Sequence, residues 1–307
     1  MKKDLLSIYD LDRRDIDTIF SMTVRLKEWL RRGESYAPLK GKTLGMIFDK
    51  SSTRTRISFE VGMYQLGGLA IYLNSRDTQL GRGETIADTA RIMSRYLNGI
   101  MIRTYAQKMV EEFAAHATIP VINGLTDLFH PCQILSDLFT ILEKKGTYEE
   151  LKVSYVGDGN NIANSWINAA IRLPFYLFLA CPDGYRPDGE VLKRGMEEAE
   201  GRISIHYDPV IAVENADVVY TDVWTSMGQE SEREDRAQVF RPYQLNSALL
   251  SHAAKDVLVM HCLPAHRGEE ITGEVIDGSH SVIIAQAENR LHVQKAILEI
   301  LLTNGGC

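Results

Sequence analysis

The chain repeats one alternation. A short apolar run gives way to a polar turn, and the turn leads into a stretch with apolar residues at helical spacing. Asp10 to Arg32 carries Ile16, Ile19, Phe20 and Leu26 on one side and reads as an amphipathic helix. Thr43-Leu44-Gly45-Met46-Ile47-Phe48 is an apolar run of strand length, and helical spacing returns near 53–67. Residues 69–73 predict a second strand and residues 85–96 a second helix. Strands at 99–102 and 119–123 follow. Apolar strands alternating with helices predict a parallel sheet covered on both faces.

Pro131 to Lys145 reads as one long helix ending at Gly146, with Pro131 in the first turn. The pattern then restarts, with strands at 153–157, 176–180, 218–220 and 257–260 and a last helix from about Glu288 to Leu302. The fold class expected is α/β, with two domains that are each a parallel β-sheet flanked by helices. The boundary falls near 145–150, giving domains 1–147 and 148–287. The C-terminal segment 288–307 is expected to pack back on the first. A chain of 307 residues is long enough for two such units.

Composition narrows the function. Hydrophobic residues make up 45% and charged residues 24%, as in an ordinary globular protein. The net charge of −7 argues against a general nucleic-acid binder, which carries a basic face. No apolar run approaches the roughly 18 residues that span a bilayer. The lysines of Met1-Lys2-Lys3-Asp4 are not followed by a signal-peptide core. Cys132, Cys181, Cys262 and Cys307 show no CxxC spacing, so neither a metal site nor a disulfide framework is indicated, and a reduced, cytoplasmic protein is expected.

The polar clusters fall at the carboxyl ends of the strands, where open parallel sheets bind ligands. Ser51-Ser52-Thr53-Arg54-Thr55-Arg56 stands at a strand-to-helix turn. Hydroxyls and guanidinium groups added to the unpaired N–H groups of a helix N-terminus suit a phosphate. Arg103-Thr104-Tyr105 and His130-Pro131-Cys132-Gln133 lie at comparable positions. In the second unit Asp158-Gly159-Asn160-Asn161, the segment from Asp222 to Gly228, and His261-Cys262-Leu263-Pro264 do the same. The first half is rich in cations and donors (Arg54, Arg103, His130, Gln133). The second supplies acceptors, Asn161 and Asp222, with the thiol of Cys262. An anionic phosphate is therefore expected on the first domain and an amine-bearing partner on the second, with reaction in the cleft between them.

Weaker signals also stand in the sequence. Gly157-x-Gly159 after a strand, with Asp183 further on, is a partial dinucleotide pattern whose third glycine position holds Ile162. A tight turn placing Asn161 at a helix start explains it as well. His116, His206, His252, His280 and His292 lie in no motif and are expected at the surface. The charge-rich run 230–236 reads as a solvated loop or helix, or as part of a lid.

Ser-Thr-Arg-Thr-Arg at 52–56, His-Pro-Cys-Gln at 130–133, Asp-x-x-x-Ser-Met-Gly at 222–228 and His-Cys-Leu-Pro at 261–264 together resemble the ornithine carbamoyltransferases. The first motif marks the wider superfamily shared with aspartate carbamoyltransferase. Ser-Met-Gly and His-Cys-Leu-Pro point to ornithine. Arg82, in the loop before Glu84 where an aspartate enzyme is expected to carry a lysine, agrees with that branch.

The resemblance implies transfer of the carbamoyl group of carbamoyl phosphate to the side-chain amine of L-ornithine, giving citrulline and phosphate, in arginine biosynthesis. It implies that Ser52, Thr53, Arg54 and Thr55 bind the phosphate, that Arg103, His130, Pro131, Cys132 and Gln133 line the carbamoyl end, and that Arg290 joins this site. Gln79 is expected to reach a neighbouring subunit's site in a homotrimer. Asn161, Asp222, Ser226 and Met227 are expected to bind ornithine, with Cys262 and Leu263 beside the reacting atoms. The catalytic residues implied are Arg103, His130, Asp222 and Cys262. No metal or organic cofactor is expected, because phosphate is already an activated leaving group. Domain 1–147 would bind carbamoyl phosphate and 148–287 ornithine.

Overall fold

A computed structural model describes residues 3–74, 83–225 and 230–304. The chain divides into two compact units, Met1–Ser136 with Asn289–Cys307, and Asp137–Glu288. The first contains α1 (Arg13–Arg32), β1 (Thr43–Phe48), α2 (Thr53–Gln65), β2 (Leu69–Asn74), α3 (Ile86–Tyr96), β3 (Gly99–Arg103), α4 (Gln107–His116) and β4 (Val121–Leu125). Helix α5 (Pro131–Lys145) runs on from this unit into the second. The second continues with β5 (Lys152–Val156), α6 (Asn161–Arg172), β6 (Tyr176–Ala180), α7 (Gly189–Glu198), β7 (Ile203–His206), α8 (Pro209–Val213), β8 (Val218–Thr221), α9 (Arg233–Phe240), α10 (Ser247–Leu250), β9 (Leu258–His261) and α11 (Gly273–Ile276). Helix α12 (Ile283–Asn304) returns the chain to the first unit at Asn289.

Both sheets are parallel, in the order β2-β1-β3-β4 in the first unit and β7-β6-β5-β8-β9 in the second. β3 is buried along its whole length, and β1 from its second residue on. Such strands carry apolar residues on both faces, which is why they read as continuous runs rather than alternating ones. Around the first sheet Ile47, Ile100, Ile102, Val110, Phe113 and Val121 form one apolar cluster. In the second, Trp166 packs edge-on against Phe175 and Tyr220, each at 5.7 Å between ring centroids. Aromatic pairs favour this geometry.

The strand orders fix where a ligand can bind. In each sheet one strand begins the winding, and successive connections leave it in opposite directions. That switch lies between β1 and β3 in the first sheet and between β5 and β8 in the second. Loops at the carboxyl ends of those strands part there and leave a crevice. Phe48 pairs with Arg103, so the Ser51–Arg56 turn leaves β1 beside the end of β3. Thr221 pairs with both Val156 and His261, so Gly157, Asp222 and Cys262 follow three adjacent strands side by side.

The sequence missed several elements. Helix α12 begins at Ile283, five residues before the expected start, and strand β7 and helices α4, α7, α8, α10 and α11 were not foreseen. His292 is buried rather than at the surface.

Candidate active site

In the first unit the groups converge on one hydroxyl. Ser52 caps α2: its Oγ accepts from the Thr55 N–H at 3.2 Å and contacts Thr55 Oγ1 at 3.1 Å. Serine suits that position because its oxygen satisfies one of the orphan donors of the first turn. Thr55 is buried, and its Oγ1 accepts from Arg290 Nη2 at 3.0 Å and from Arg103 Nη1 at 3.4 Å. Arg103 ends β3, and Arg290 comes from α12, 235 residues from Thr55 in sequence. Two buried guanidinium groups and a helix N-terminus thus face one side of the turn. This is a strong anion environment. Arg54 lies one residue before Thr55, and its buried Nε has no hydrogen-bond partner. Thr53 opens α2 and is exposed.

His130 is buried at the start of α5, and Pro131 opens that helix. Burial, then the charges of Arg290 and Arg103, hold the imidazole well below the ordinary histidine value. It is therefore neutral at pH 7, able to donate one hydrogen bond without adding a charge. Cys132 is a buried thiol directed at the Asn123 carbonyl at 3.5 Å, and burial pushes it up to about 12. Gln133 is buried on the same helix turn.

In the second unit the central group is Asp222, buried immediately after β8. Its Oδ1 accepts from Cys262 Sγ at 2.9 Å and from the Val223 N–H at 2.8 Å, and its Oδ2 from Asn160 Nδ2 at 2.8 Å. Cys262 is partly exposed. Burial, and next the charge of Asp222, push its thiol well above the ordinary cysteine value. It is a hydrogen-bond donor here, not a thiolate nucleophile. Leu263 holds φ +58, a left-handed conformation that is uncommon for a branched residue. Its N–H donates to His261 Nδ1 at 2.9 Å, and His261 Nε2 meets Glu270 Oε1 at 3.1 Å. With Nδ1 accepting, the proton must sit on Nε2, so the imidazole is a fixed strut under the Cys262–Leu263 turn.

Asn160 was not singled out as a ligand by sequence reasoning. It caps α6, its Oδ1 accepting from the Ile162 and Ala163 N–H groups while its amide nitrogen holds Asp222. The signal was present, since asparagine after a glycine turn and before a helix is a strong N-cap. Asn161, the residue expected to bind ligand, is the first residue of α6 and is partly exposed. Gln79, Ser226 and Met227 lie outside the described residues.

The glycine turn has a local explanation. Gly157 has φ +138, and a Cβ on Gly159 would stand 2.2 Å from the Arg186 backbone. The turn therefore needs glycine for its own packing. Asp158 between them is tied to Arg236 at 2.5 Å. Burial pushes its carboxyl up to about 7, with Arg236 opposing the shift. Arg236 also donates to the Trp224 carbonyl at 2.5 Å and is buried, so the end of the charge-rich run is an internal brace rather than a solvated face. Among the described residues no helix is long and apolar enough to cross a membrane.

Residues 3–143 match the family model for the carbamoyl-P binding domain of aspartate/ornithine carbamoyltransferase, and residues 149–301 match that for its Asp/Orn binding domain. The chain is 74% identical over 302 residues to an ornithine carbamoyltransferase of Syntrophus aciditrophicus, an alignment covering 98% of this chain and 100% of the relative. Its fold superimposes on ornithine carbamoyltransferase from Pyrococcus furiosus with a TM-score of 0.93 at 54% identity, covering 97% of this chain and 96% of that one. The enzyme of the same name from Burkholderia thailandensis gives 0.90 at 45% identity, covering 98% and 99%. A cation-lined turn in one unit, an acceptor cluster in the other and full-length likeness in sequence and fold lead to one conclusion: the chain belongs to the aspartate/ornithine carbamoyltransferase family.

Proposed function

We propose that this chain is an ornithine carbamoyltransferase, transferring the carbamoyl group of carbamoyl phosphate to the side-chain amine of L-ornithine to give L-citrulline and phosphate. The carrying observation is the Asp222 carboxylate, held by three donors beside the protonated thiol of Cys262. An ammonium-bearing acceptor finds its counter-charge there, whereas aspartate would need cations at the same place.

The first unit takes carbamoyl phosphate. Ser52, Thr53, Arg54 and Thr55 hold the phosphate with the N-terminus of α2. Arg103, Arg290 and neutral His130 face the carbonyl oxygen, where negative charge grows as the tetrahedral intermediate forms, with Pro131, Cys132 and Gln133 lining that end. Preorganised donors of this kind are each worth about 2.7–4 kcal/mol in the transition state. Asn161, Asp222, Ser226 and Met227 take ornithine, with Cys262 and Leu263 next to the amine. Because the amine is mostly protonated near neutrality, it must lose a proton before attack. Asp222 and the departing phosphate can accept it. Cys262, already donating to Asp222, orients instead.

We assign the chain to the cytoplasm and to arginine biosynthesis, as a homotrimer in which Gln79 reaches the neighbouring site. The exposed edge strand β2, with Leu69 and Ile71, and Ile57 and Tyr64 on α2 support association through this face. An unprotected apolar edge of this kind is normally covered. Citrulline formation measured with ornithine, acetylornithine, putrescine and aspartate tests the reading. Ornithine should be strongly preferred, and turnover of an acylated amine or of aspartate in its place would overturn it.

A further inference from the structure

Next to Cys262 in the chain, the second unit holds a buried polar network that the reaction described above does not use. Gln286, in the first turn of α12, is fully buried, and its amide bridges three elements. Oε1 accepts from the N–H of His261, the residue before Cys262, at 2.9 Å. Nε2 donates to Asp137 Oδ1 on α5 at 2.8 Å and stands 3.2 Å from the Tyr220 hydroxyl on β8. Tyr220 is in turn within interaction range of Asp137 and of the Cys262 thiol. A fully buried carboxylate, an amide and a phenol are costly inside an apolar sheet unless they satisfy one another. Here the Gln286 amide serves both of the others and also holds the residue before Cys262.

We propose that Asp137 and Gln286 are positioning residues for Cys262: through the His261 N–H and the Tyr220 hydroxyl they aim its thiol at Asp222, so that it serves the acceptor amine as a hydrogen-bond donor and never as a proton acceptor. The proposal rests on the assignment of Asp222 and Cys262 to the acceptor site. The acidic groups near the thiol are Asp222 from the end of β8, Asp137 from α5, and the phenols of Tyr220 from β8 and Tyr155 from β5. Both carboxylates disfavour a thiolate, and burial acts in the same direction. Gln286 is the neutral member. Its two ends match a donor on one side and an acceptor on the other, which neither glutamate nor methionine can do.

The test is the reactivity of Cys262 itself, read by iodoacetamide alkylation between pH 7 and 10 with peptide mapping of the modified cysteine, in the full-length enzyme without substrates. Asp137→Asn keeps an oxygen for Gln286 and removes the charge. It should speed alkylation of Cys262 at pH 8 about tenfold, because a shift of one unit in the thiol raises its thiolate fraction by that factor. The same variant should lose at least about tenfold in kcat/KM for ornithine, with carbamoyl phosphate affinity held within about twofold. Gln286→Met is the second variant, needed if Asp137→Asn does not fold. It should lower kcat/KM for ornithine similarly and broaden the alkylation profile. Unchanged alkylation and unchanged ornithine kinetics in a folded variant would overturn the proposal. Failure of the wild-type enzyme to form citrulline would instead remove the functional assignment, and the alkylation profiles would still report on the network.

Discussion

On the assignment proposed above, Asp222 carries the choice of acceptor, and replacing it should separate the two substrates. In Asp222→Asn the carbonyl oxygen can keep the bonds from Cys262 Sγ and the Val223 N–H, which both meet Oδ1. The new amide nitrogen then faces Asn160 Nδ2, a donor whose own oxygen is engaged by the N-terminus of α6. The substitution therefore removes one charge and opposes two donors, with little change of volume. A hydrogen bond to a charged group contributes about 1.5–3 kcal/mol. At 1.36 kcal/mol per decade, kcat/KM for ornithine should fall about 10- to 150-fold. Asp222→Ala strands all three donors and should cost stability as well, about 1–3 kcal/mol for each buried donor left without an acceptor. The assay pairs steady-state kinetics in ornithine with calorimetry of carbamoyl phosphate, whose dissociation constant should change less than about twofold. Equal losses for both ligands would refute the division of labour between the units, and unchanged ornithine kinetics would remove Asp222 from the acceptor site.

Arg54→Ala should lower turnover by at least about 10², the scale of losing one transition-state donor, and near-wild-type kinetics would remove the phosphate cradle from the mechanism. Mixing Gln79→Ala with Arg54→Ala protomers should restore some activity, because a shared site leaves one unmutated set in each hybrid trimer. Verified hybrids without recovery would exclude sharing. His130 is held below its unfolded value near 6.5, so the unfolded chain gains a proton there before the folded one does. Its stabilising contribution is complete above pH 6.5 and is lost as pH falls, by at most about 1.4 kcal/mol per unit. Urea unfolding at pH 6.5 and 5.5 should show that slope reduced in His130→Gln. Arg236→Leu leaves the buried Asp158 carboxyl without its partner and should cost about 3–5 kcal/mol in the same assay at pH 8, where the carboxyl of the unmutated protein is ionised.

The two parallel sheets were legible because strands buried on both faces read as uninterrupted apolar runs. β7 was not: only the first of its four residues is buried, and Ser204 and His206 break the run. The start of α12 was lost for the opposite reason. Much of that helix is buried all round, including Gln286, Asn289, His292, Gln294 and Lys295, so it lacks the polar stripe that marks a helix in sequence. The clusters at strand ends were legible as chemistry, since hydroxyls, guanidinium groups and carboxylates at turns stand out from apolar surroundings. Which of them meet was not. Asn160 and Asp222 are 62 residues apart, and only the order β7-β6-β5-β8-β9 makes their strands neighbours. Arg236 looked solvated because its partner Asp158 is 78 residues away.

The two clusters also differ in how charge is handled, and this difference bears on the chemistry. Around Thr55 the protein gathers Arg103 and Arg290 and keeps His130 neutral beside them, so the histidine donates without adding a third charge to a buried site. Around Asp222, among the described residues, the side chains that donate to the carboxylate are neutral, Asn160 and the Cys262 thiol. A lysine or arginine at either place would satisfy Asp222 internally and leave no counter-charge for an incoming ammonium. Neutral donors hold the carboxylate in place while its charge stays available. On the proposed assignment, selection of a cationic acceptor should therefore depend as much on what Cys262 and Asn160 are not as on the presence of Asp222. Asn160→Lys should accordingly impair ornithine use as severely as Asp222→Asn while retaining the carboxylate. Kinetics close to wild type in that variant would show that the charge of Asp222 is not what the acceptor reads.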